Sequence, residues 1–469
     1  MRLDVVIMAA GKGTRMKSAR PKVLHPLAGR ALLQHVLEMG AGLGADRLIT
    51  ITGHGAESVE AAMRAALPAA PLAFVRQEPQ LGTGHAVQQA VPALGDEGTT
   101  LILNGDVPLV RPETARALIA ACGGEKLALL TVELADPTGY GRIVRDAADR
   151  ERVLAIVEHK DATPEQRAIT EGYTGMMAVP TRHLKRWLAA LRNDNAQKEY
   201  YLTDIVAMAE ADGVPVVATL AGNETEVLGV NSPLQLAELE RRFQRVQAES
   251  LMEAGVRLMD PARFDLRGVL RCGRDVAIDV NCVFEGEVEL GDEVQIGANC
   301  VIRNARIAAG AVIHPFTHID GEAAGVEVGE GALIGPFARL RPGARLGRAV
   351  HIGNFVEVKN STLADGAKAN HLAYLGDATV GERVNYGAGS ITANYDGANK
   401  HRTVIEADVH IGSNCVLVAP VTIGAGATVG GGSTITKDVA PGQLGVARGK
   451  QVVLDGWVRP SKNKPAKPA

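Results

Sequence analysis

The stretch "VEVGEGALIGPFARLRPGARLGRAVHIGNFVEVK", residues 326–359, carries an aliphatic residue at every sixth position. A period of six is typical of a parallel β-helix, in which each repeat forms one short strand and one turn and three repeats close a triangular coil. Ordinary half-buried strands would alternate with a period of two. The repeated positions, which we expect to point inward, are Val328, Ile334, Leu340, Leu346, Ile352 and Val358.

The same spacing occurs on both sides of this stretch, and it predicts a solenoid over residues 255–458. The further inward positions are Ile278, Phe284, Leu290, Ile296 and Ile302 before it, and Ile411, Leu417, Ile423, Val429 and Ile435 after it. The repeat breaks at residues 321–325 and 392–408. We expect loops there, because insertions in solenoids tend to collect on one face, often the functional one.

The sequence before the solenoid has a different organisation. Residues 233–254 contain no glycine and form one long amphipathic pattern, which predicts a helical linker. Residues 1–232 alternate between short apolar runs and helical patterns, which predicts a Rossmann-like α/β domain with a mostly parallel sheet. In such sheets, ligands bind at the carboxyl ends of the strands. Residues 459–469 are polar and contain proline, and we expect them to be disordered.

Composition narrows the classes of partner. Lys and Arg number 50 against 53 Asp and Glu, a formal net charge of -3, and no basic surface argues for nucleic acid. The apolar run after Asp4 is too short for a signal peptide, and we expect no membrane partner. The five cysteines form no CxxC pair, which indicates reduced, mostly buried thiols in a cytoplasmic protein.

A glycine-rich loop follows the first apolar run, in "VVIMAAGKGTRM", residues 5–16. It lacks the third glycine of GxGxxG and the spacing of a P-loop. It does stand at a strand exit, where backbone N–H groups gather around anions. Arg15 and Lys22 would add charge that the main chain cannot supply. The alternative is an ordinary strand-to-helix turn with solvated basic residues.

At this point longer motifs become recognisable. The loop "MAAGKGTRM", followed by Pro21-Lys22, resembles the signature of the sugar-nucleotide pyrophosphorylases. Over nearly the whole chain, the sequence resembles the family of bacterial bifunctional N-acetylglucosamine-1-phosphate uridylyltransferases/glucosamine-1-phosphate N-acetyltransferases. The motifs for the first activity are "QLGTGHA" (80–86), "GDVPL" (105–109), "DPTGYGRI" (136–143), "IVEHKDAT" (156–163) and "GVN" (229–231). Those for the second are "GPFARLRPG" (335–343), "GNFVEVK" (353–359), "HLAYLGDA" (371–378) and "TANYDGANK" (392–400).

For the N-terminal half, the resemblance implies transfer of a uridylyl group from UTP to N-acetylglucosamine 1-phosphate, with release of pyrophosphate. Lys22 would bind phosphate, and physical reasoning assigns Arg15 to the departing pyrophosphate. Asp106 and Asn231 would hold Mg²⁺ through hard oxygen atoms, although Asp106 could instead cap a turn. The other residues implied to bind UTP or the sugar nucleotide are Met8, Ala9, Ala10, Gly11, Gln77, Gly82, Thr83, Asn104, Gly105, Gly141, Glu158 and Tyr173.

Two of these positions depart from the family pattern. Asn104 stands where many relatives have tyrosine, and Tyr173 stands where an asparagine often touches the sugar nucleotide. We expect the first change to alter packing near the base and the second to alter the sugar contact. Glu158, assigned to the amino sugar, could instead be a surface charge beside Lys160.

For the C-terminal half, the resemblance implies acetyl transfer from acetyl-CoA to glucosamine 1-phosphate. The amine must lose a proton to attack the thioester, and His371 is the expected general base. It lies where the hexad register slips, and without the motif it would be a solvated corner histidine. The implied substrate contacts are Arg341, Lys359, Tyr374 and Asn385. The implied acetyl-CoA contacts are Ala388, Asn394, Tyr395, Ser413, Gly431 and Arg448.

A flat solenoid face cannot enclose acetyl-CoA alone, so we expect the groove to form between subunits, and the resemblance implies a homotrimer. The product would be a precursor of envelope polysaccharides. Two alternatives remain at the level of sequence. One is a nucleotidyltransferase with a single activity, whose solenoid only assembles the oligomer. The other is a sugar-nucleotide sensor without catalysis, whose phosphate loop and metal ligands bind without turnover.

Overall fold

The structure, a computed structural model, describes residues 2–460. It contains two compact units, Met1–Glu249 and Ser250–Ala469. Most of the tail that the sequence predicts to be disordered, residues 461–469, lies outside the described residues. Within the described part of the chain, no helix is long and apolar enough to cross a membrane.

The first unit alternates strands and helices, as the sequence predicts. Its strands are β1 Leu3–Ala9, β2 Pro26–Leu27, β3 Arg30–Ala31, β4 Arg47–Thr52, β5 Leu72–Arg76, β6 Thr99–Asn104, β7 Leu127–Glu133, β8 Gly141–Arg145, β9 Val153–Val157, β10 Glu171–Pro180 and β11 Val216–Leu220. Its helices are α1 Leu32–Gly42, α2 Ala56–Ala66, α3 Thr83–Ala90, α4 Pro112–Cys122, α5 Pro164–Arg167, α6 Thr181–Ala190 and α7 Ile205–Ala211, and the long helix α8 runs over Pro233–Glu253.

The main sheet has the strand order β11-β7-β10-β6-β1-β4-β5. Every adjacent pair is parallel except the two pairs that β10 makes with β6 and β7. The prediction of a mostly parallel sheet is therefore confirmed. β1 is central and nearly fully buried, because six of its seven residues face packed helices or neighbouring strands. The carboxyl ends of β1, β4 and β6 meet at one edge, and the antiparallel ribbon β8-β9 extends from β10 beside it.

The second unit is a parallel β-helix of hexapeptide repeats, left-handed as expected for this class of repeat. Its first face contains the strands Arg257–Leu258, Ala277–Ile278, Gln295–Ile296, Val312–Ile313, Leu333–Ile334, His351–Asn354, Lys368–His371, Asn385–Tyr386, His410–Ile411, Thr428–Val429 and Leu444–Gly445. Its second face contains His318–Asp320, Arg339–Leu340, Glu357–Lys359, Tyr374–Gly376, Ile391–Ala393, Val416–Val418 and Thr434–Ile435. Its third face contains Val326–Val328, Arg345–Leu346, Thr362–Leu363, Ala378–Val380, Thr403–Ile405 and Val421–Ile423. Three longer strands, Phe264–Cys272, Cys282–Leu290 and Val301–Ile307, begin the second and third faces.

The inward positions that the period of six predicts are all buried. Each of these aliphatic or aromatic side chains is no more than 5% exposed. Burial of an aliphatic side chain contributes about 1.5–3 kcal/mol, so the column of inward side chains is the main source of stability of the coil. The prediction of a β-helix is confirmed.

The register slip that the sequence places at His371 lies elsewhere. Inward residues are five rather than six apart between Val358 and Leu363, and again between Leu375 and Val380. These two deletions flank His371, so the coils around it have 17 residues, as the pairing of Val358 with Leu375 shows. Each deletion falls at a corner, where one residue fewer tightens the turn without moving the inward side chains.

The second interruption of the repeat is shorter than the sequence predicts. Thr392 and Thr403 were expected in the loop over residues 392–408, but both are buried within strands, at 1% and 0% exposure. The loop therefore covers only residues 394–402. Threonine fits a β-helix core where its hydroxyl finds a backbone partner, and the Thr392 hydroxyl donates to the Gly376 carbonyl at 3.0 Å.

The five cysteines are free thiols. Cys122, Cys282, Cys300 and Cys415 are buried, and Cys272 is partly buried. Burial raises the pKa of the Cys272 thiol to about 11. The expectation of reduced, mostly buried thiols agrees with this arrangement.

Candidate functional site

The loop after β1 places Lys22 beside its glycines. Gly13 has φ +59, a left-handed conformation that favours glycine, and a Cβ built there would lie 2.7 Å from Lys22 Cβ. Any larger residue at position 13 would push Lys22 away. The loop is therefore shaped around the lysine that follows it.

Lys22, Asp106 and Asn231 come together from three distant parts of the first unit. The Lys22 ammonium forms an ion pair with the Asp106 carboxylate and donates to Asn231 Oδ1 at 3.0 Å. Asp106 follows β6, and its backbone carbonyl accepts a hydrogen bond from the Val230 N–H at 2.9 Å. One acidic and one amide oxygen thus converge on a single cationic group, which is the kind of oxygen set that a divalent cation also prefers.

A cavity of about 430 Å³ opens at this strand edge. The predicted nucleotide residues that line it are Met8, Ala9, Ala10, Gly11, Lys22, Gln77, Gly82, Thr83 and Asp106. Arg15 is exposed and is not among its lining residues. Gly105 lies behind the lining, where its N–H donates to the Met8 carbonyl at 3.0 Å. A Cβ at Gly105 would lie 3.2 Å from Ala9 Cβ, so this glycine allows β6 to pass close to β1.

Sequence reasoning missed three polar residues of this cavity, Lys12, Gln80 and Glu199. Gln80 donates through Nε2 to the Ala10 carbonyl at 2.6 Å and thereby holds the strand exit. Its position at the start of the "QLGTGHA" motif was the available signal. Gln77 is buried, and its amide nitrogen donates to the Gly82 carbonyl at 2.9 Å.

A second cavity, of about 230 Å³, shares Met8 and Thr83 with the first. We call it the sugar cavity, after the amino sugar to which the sequence analysis assigns Glu158. The predicted residues that line it are Asn104, Gly141, Glu158 and Tyr173. Its other lining residues, which sequence reasoning did not single out, are Gly139, Tyr140, Thr174, Gly175, Leu202 and Thr203. The ribbon β8-β9 and the bulged strand β10 form its walls, so it is assembled from segments far apart in sequence.

The polar groups of the sugar cavity are partly desolvated. Burial raises the pKa of the Glu158 carboxyl, and the negative charges of Asp161 and Asp204 act in the same direction. Thr203 donates its hydroxyl to Glu158 at 3.1 Å. Burial and the charge of Glu158 raise the pKa of the Tyr173 phenol well above its ordinary value.

Two side chains in this cavity differ in how they are held. Asn104 donates from Nδ2 to the Thr174 carbonyl at 3.2 Å. Tyr173 is 7% exposed, and its hydroxyl has no hydrogen-bond partner among the described residues. Since buried hydroxyls are normally paired, this oxygen is an unsatisfied polar atom beside the cavity.

In the β-helix, His371 stands at the end of a first-face strand, opposite Asn354 of the preceding coil. The ring Nδ1 lies 2.9 Å from Asn354 Oδ1. If the amide oxygen accepts from Nδ1–H, as this contact favours, Nε2 keeps its lone pair and can accept a proton. Sequence reasoning missed this role of Asn354, and the signal was its spacing of one 17-residue coil from His371.

Three of the predicted contacts for the substrate of acetyl transfer share the second face. Arg341 donates to Glu357 Oε1 at 2.8 Å, and Glu357 is paired in register with Tyr374. The pKa of Lys359 is lowered, first by its contact with Lys400 and then by burial and the charge of Arg341. This face therefore concentrates positive charge. Asn385 lies on the first face instead, beside Lys368.

Four of the predicted acetyl-CoA contacts lie in successive coils along one edge. The Ala388 carbonyl accepts from the Asn414 N–H at 2.7 Å, and the Ser413 carbonyl accepts from the Gly432 N–H at 2.8 Å. Arg448 donates to the Gly431 carbonyl at 2.7 Å.

The other two predicted acetyl-CoA contacts belong to the loop over residues 394–402 and differ in exposure. Asn394 is buried and donates to the Asp377 carboxylate. Tyr395 is 62% exposed, with its hydroxyl on the Gly397 carbonyl.

Comparison with known proteins identifies both units. The profile of the MobA-like NTP transferase domain matches residues 5–197, and that of the bacterial transferase hexapeptide matches residues 325–360 and 402–437. The chain is similar to the bifunctional protein GlmU of Methylibium petroleiphilum, with 80% identity over 98% of this chain and 100% of that protein. The chain belongs to the GlmU family of bifunctional proteins.

Further members of the GlmU family align over the same length. The protein of Paracidovorax citrulli is 71% identical over 98% of both chains, and that of Azoarcus sp. is 59% identical over 98% of this chain and 100% of its own. A solved UDP-glucose pyrophosphorylase complexed with UDP-glucose covers 52% of this chain and 100% of its own, at 18% identity and a TM-score of 0.44.

Family membership decides between the alternatives that the sequence leaves open. The chain is a bifunctional enzyme, with a nucleotidyltransferase unit that uses a nucleoside triphosphate and a hexapeptide-repeat unit of the acetyltransferase type. The predictions of uridylyl transfer and acetyl transfer are confirmed at this level. A sensor without catalysis and a purely structural solenoid are both inconsistent with it.

Proposed function

We propose that this enzyme first acetylates glucosamine 1-phosphate with acetyl-CoA and then couples the product to UTP. The products of the second step would be UDP-N-acetylglucosamine and pyrophosphate. The observation that carries the proposal is the convergence of Lys22, Asp106 and Asn231 beside the strand-edge cavity. Residues 1–232 would carry the uridylyltransferase, residues 233–254 the linker and residues 255–458 the acetyltransferase.

In uridylyl transfer, a phosphate oxygen of the sugar phosphate would attack the α-phosphorus of UTP, and the bond to pyrophosphate would break. Both substrates are anionic, so catalysis is mainly alignment and neutralisation of charge. Asp106 and Asn231 would hold Mg²⁺, which supplies positive charge to the phosphates. Lys22 would bind phosphate, and Arg15 would reach the departing pyrophosphate from its exposed position.

The two cavities would divide the substrates between them. The larger one would take the nucleotide, against Met8, Ala9, Ala10, Gly11, Gly82, Thr83 and Gln77, with Gly105 behind the lining. The sugar cavity would take N-acetylglucosamine, against Gly141, Glu158, Asn104 and Tyr173. Shared lining residues place the two cavities side by side, as a reaction between the two substrates requires.

In acetyl transfer, His371 would take a proton from the ammonium group of glucosamine 1-phosphate. The free amine would attack the thioester carbonyl, the amide bond would form and the C–S bond would break, and a second proton lost by the nitrogen would neutralise the departing thiolate of CoA. Asn354 would hold the His371 ring with Nε2 toward the amine. The sugar phosphate would be bound by Arg341, Lys359, Tyr374 and Asn385, and acetyl-CoA by Ala388, Asn394, Tyr395, Ser413, Gly431 and Arg448.

We further propose that the enzyme is a cytoplasmic homotrimer. An exposed apolar column along one corner of the β-helix supports self-association. Phe316, Phe337 and Phe355 stack there with ring centroids 4.9 and 5.4 Å apart, and Leu372 continues the column at 61% exposure. Leu372 follows His371 directly, so a second copy seated on the column would lie next to the proposed catalytic base.

Two substitutions test the assignment of the sites. His371→Ala should abolish acetylation and leave pyrophosphate release from UTP and N-acetylglucosamine 1-phosphate unchanged. Asp106→Ala should do the reverse. If either change destroyed both activities in a folded chain, independent sites would be the wrong description.

A further inference from the structure

The position of Lys22 has a consequence for how a cation enters the site. Its ammonium lies between the Asp106 carboxylate and Asn231 Oδ1, the two groups to which the proposed function assigns the divalent cation. The Lys22 and Asp106 side chains are only 12% and 22% exposed. The same oxygen atoms therefore already hold a positive charge.

This contact is built into the surrounding backbone. Gly13 allows the loop to pass close to the base of the Lys22 side chain, since a Cβ built at Gly13 would lie 2.7 Å from Lys22 Cβ. Asn231 is fixed by its own N–H, which donates to Gln235 Oε1 at 2.8 Å. The Val230 N–H ties the same segment to the Asp106 carbonyl. These contacts hold the base of the Lys22 side chain and the segments that carry both oxygen groups, and they do not involve the ammonium group.

An ammonium group and a divalent cation compete for the same ligands, and both cannot occupy them at once. Displacing Lys22 without a new partner would leave a charge in a poorly solvated place, which is unfavourable. A triphosphate chain provides that partner, because its oxygens can accept from the ammonium group.

We propose that Lys22 occupies the cation site in the nucleotide-free enzyme and passes to a phosphate of the nucleotide when the divalent cation binds. The cation and the nucleotide then bind with positive coupling, and by linkage each raises the affinity for the other by the same factor. This inference rests on the proposed function, which assigns Asp106 and Asn231 to the metal. Lys22 then competes with the cation for Asp106 and Asn231 as long as no nucleotide is bound.

The test is Mn²⁺ binding to the full-length protein without nucleotide, measured by the loss of the free Mn²⁺ signal in electron paramagnetic resonance. Lys22→Met should bind Mn²⁺ at least about tenfold more tightly than the wild type, which corresponds to 1.4 kcal/mol. Lys12→Met is the matched control, because Lys12 carries the same charge and lines the same cavity. It should change the affinity by less than about threefold.

A second arm measures the coupling. A non-hydrolysable UTP analogue should tighten Mn²⁺ binding in the wild type clearly more than in Lys22→Met. Lys22→Gln repeats the measurement if the methionine variant folds poorly. Equal Mn²⁺ affinities for the Lys22 and Lys12 variants would overturn the inference and leave the metal site standing. Unchanged Mn²⁺ binding in Asp106→Asn would instead contradict the proposed metal site itself.

Discussion

At the scale of single residues, the sugar cavity holds polar atoms that the unbound fold does not satisfy. The Tyr173 hydroxyl is buried without a partner among the described residues. Burial raises the pKa of the Glu158 carboxyl, so its charged form is disfavoured there. An unsatisfied buried polar group costs about 1–3 kcal/mol, so the first unit gives up stability at this point.

Tyr173→Phe removes the unpaired oxygen. We expect the variant to be more stable than the wild type by about 1 kcal/mol, and to bind N-acetylglucosamine 1-phosphate more weakly, with KM raised about fivefold. Thermal unfolding of the unliganded protein and steady-state kinetics of pyrophosphate release measure the two effects. Tyr140→Phe, in the same cavity, is the control. Lower stability with an unchanged KM would show that the hydroxyl has a structural partner instead.

Glu158 gives a dependence on pH. Its pKa in the folded protein is raised above the usual 4.5 by burial, so the folded state holds this proton more tightly than the unfolded state. Its contribution to stability is therefore present at low pH and is lost as the pH rises from 4.5 through the raised pKa. Glu158→Gln should match the wild type near pH 4 and exceed it at pH 7.5.

Calorimetry of the full chain measures this difference, following the unfolding transition that UTP shifts upward. The gap between the variant and the wild type must widen with rising pH. A constant gap would mean that folding does not shift the pKa of Glu158, and a narrowing gap would mean that folding lowers it, so either result would contradict the prediction.

At the scale of the element, the length of the coil decides which side chains meet. Around His371 each coil has 17 residues, and this spacing puts Asn354 opposite the histidine. With the 18-residue spacing that pairs Leu340 with Val358, a different residue would stand there. The single-residue deletion between Val358 and Leu363 therefore positions the proposed general base.

Asn354→Ala should lower the turnover of acetyl transfer about 10- to 100-fold, since an unoriented imidazole is a poorer base. Its pH profile should shift, whereas uridylyl transfer should be unchanged. Asn299→Ala, at a corner of an earlier coil where Asn281 donates to it at 3.1 Å, is the control. If the asparagine only stabilises the coil, the stability of the variant will fall while the pH profile stays where it was.

At the scale of the whole molecule, the apolar column makes self-association testable. Phe337 stacks between Phe316 and Phe355 and is 47% exposed. Phe337→Asp would bring a charge into the proposed contact between copies. If the wild type sediments as the proposed trimer, this variant should sediment as a monomer, with acetylation lost and uridylyl transfer retained. A variant that remains trimeric would place the contact on another surface.

The whole molecule also shows which features could be predicted from the sequence and which could not. The β-helix was predictable because each repeat contributes one inward side chain at a fixed period, and every such position is buried. The position of the glycine-rich loop at the exit of a buried strand was predictable from the apolar run before it, while its binding of phosphate stays a prediction. The contact of Lys22 with Asn231 was not, because it joins residues 209 positions apart through the pairing of strands. Neither the sugar cavity nor Asn354 opposite His371 has a local pattern.

The buried thiols can report where the β-helix unfolds locally. Cys282, Cys300 and Cys415 lie inside different coils, and the thiolate is the form of cysteine that attacks alkylating reagents. Maleimide dyes should therefore label each one only while its coil is frayed. A repeat of a solenoid unfolds most easily next to a neighbour that has already unfolded. The order in which the cysteines are labelled therefore shows the direction in which unfolding spreads. Cys415 modified ahead of Cys300 would mean that fraying begins at the carboxyl end.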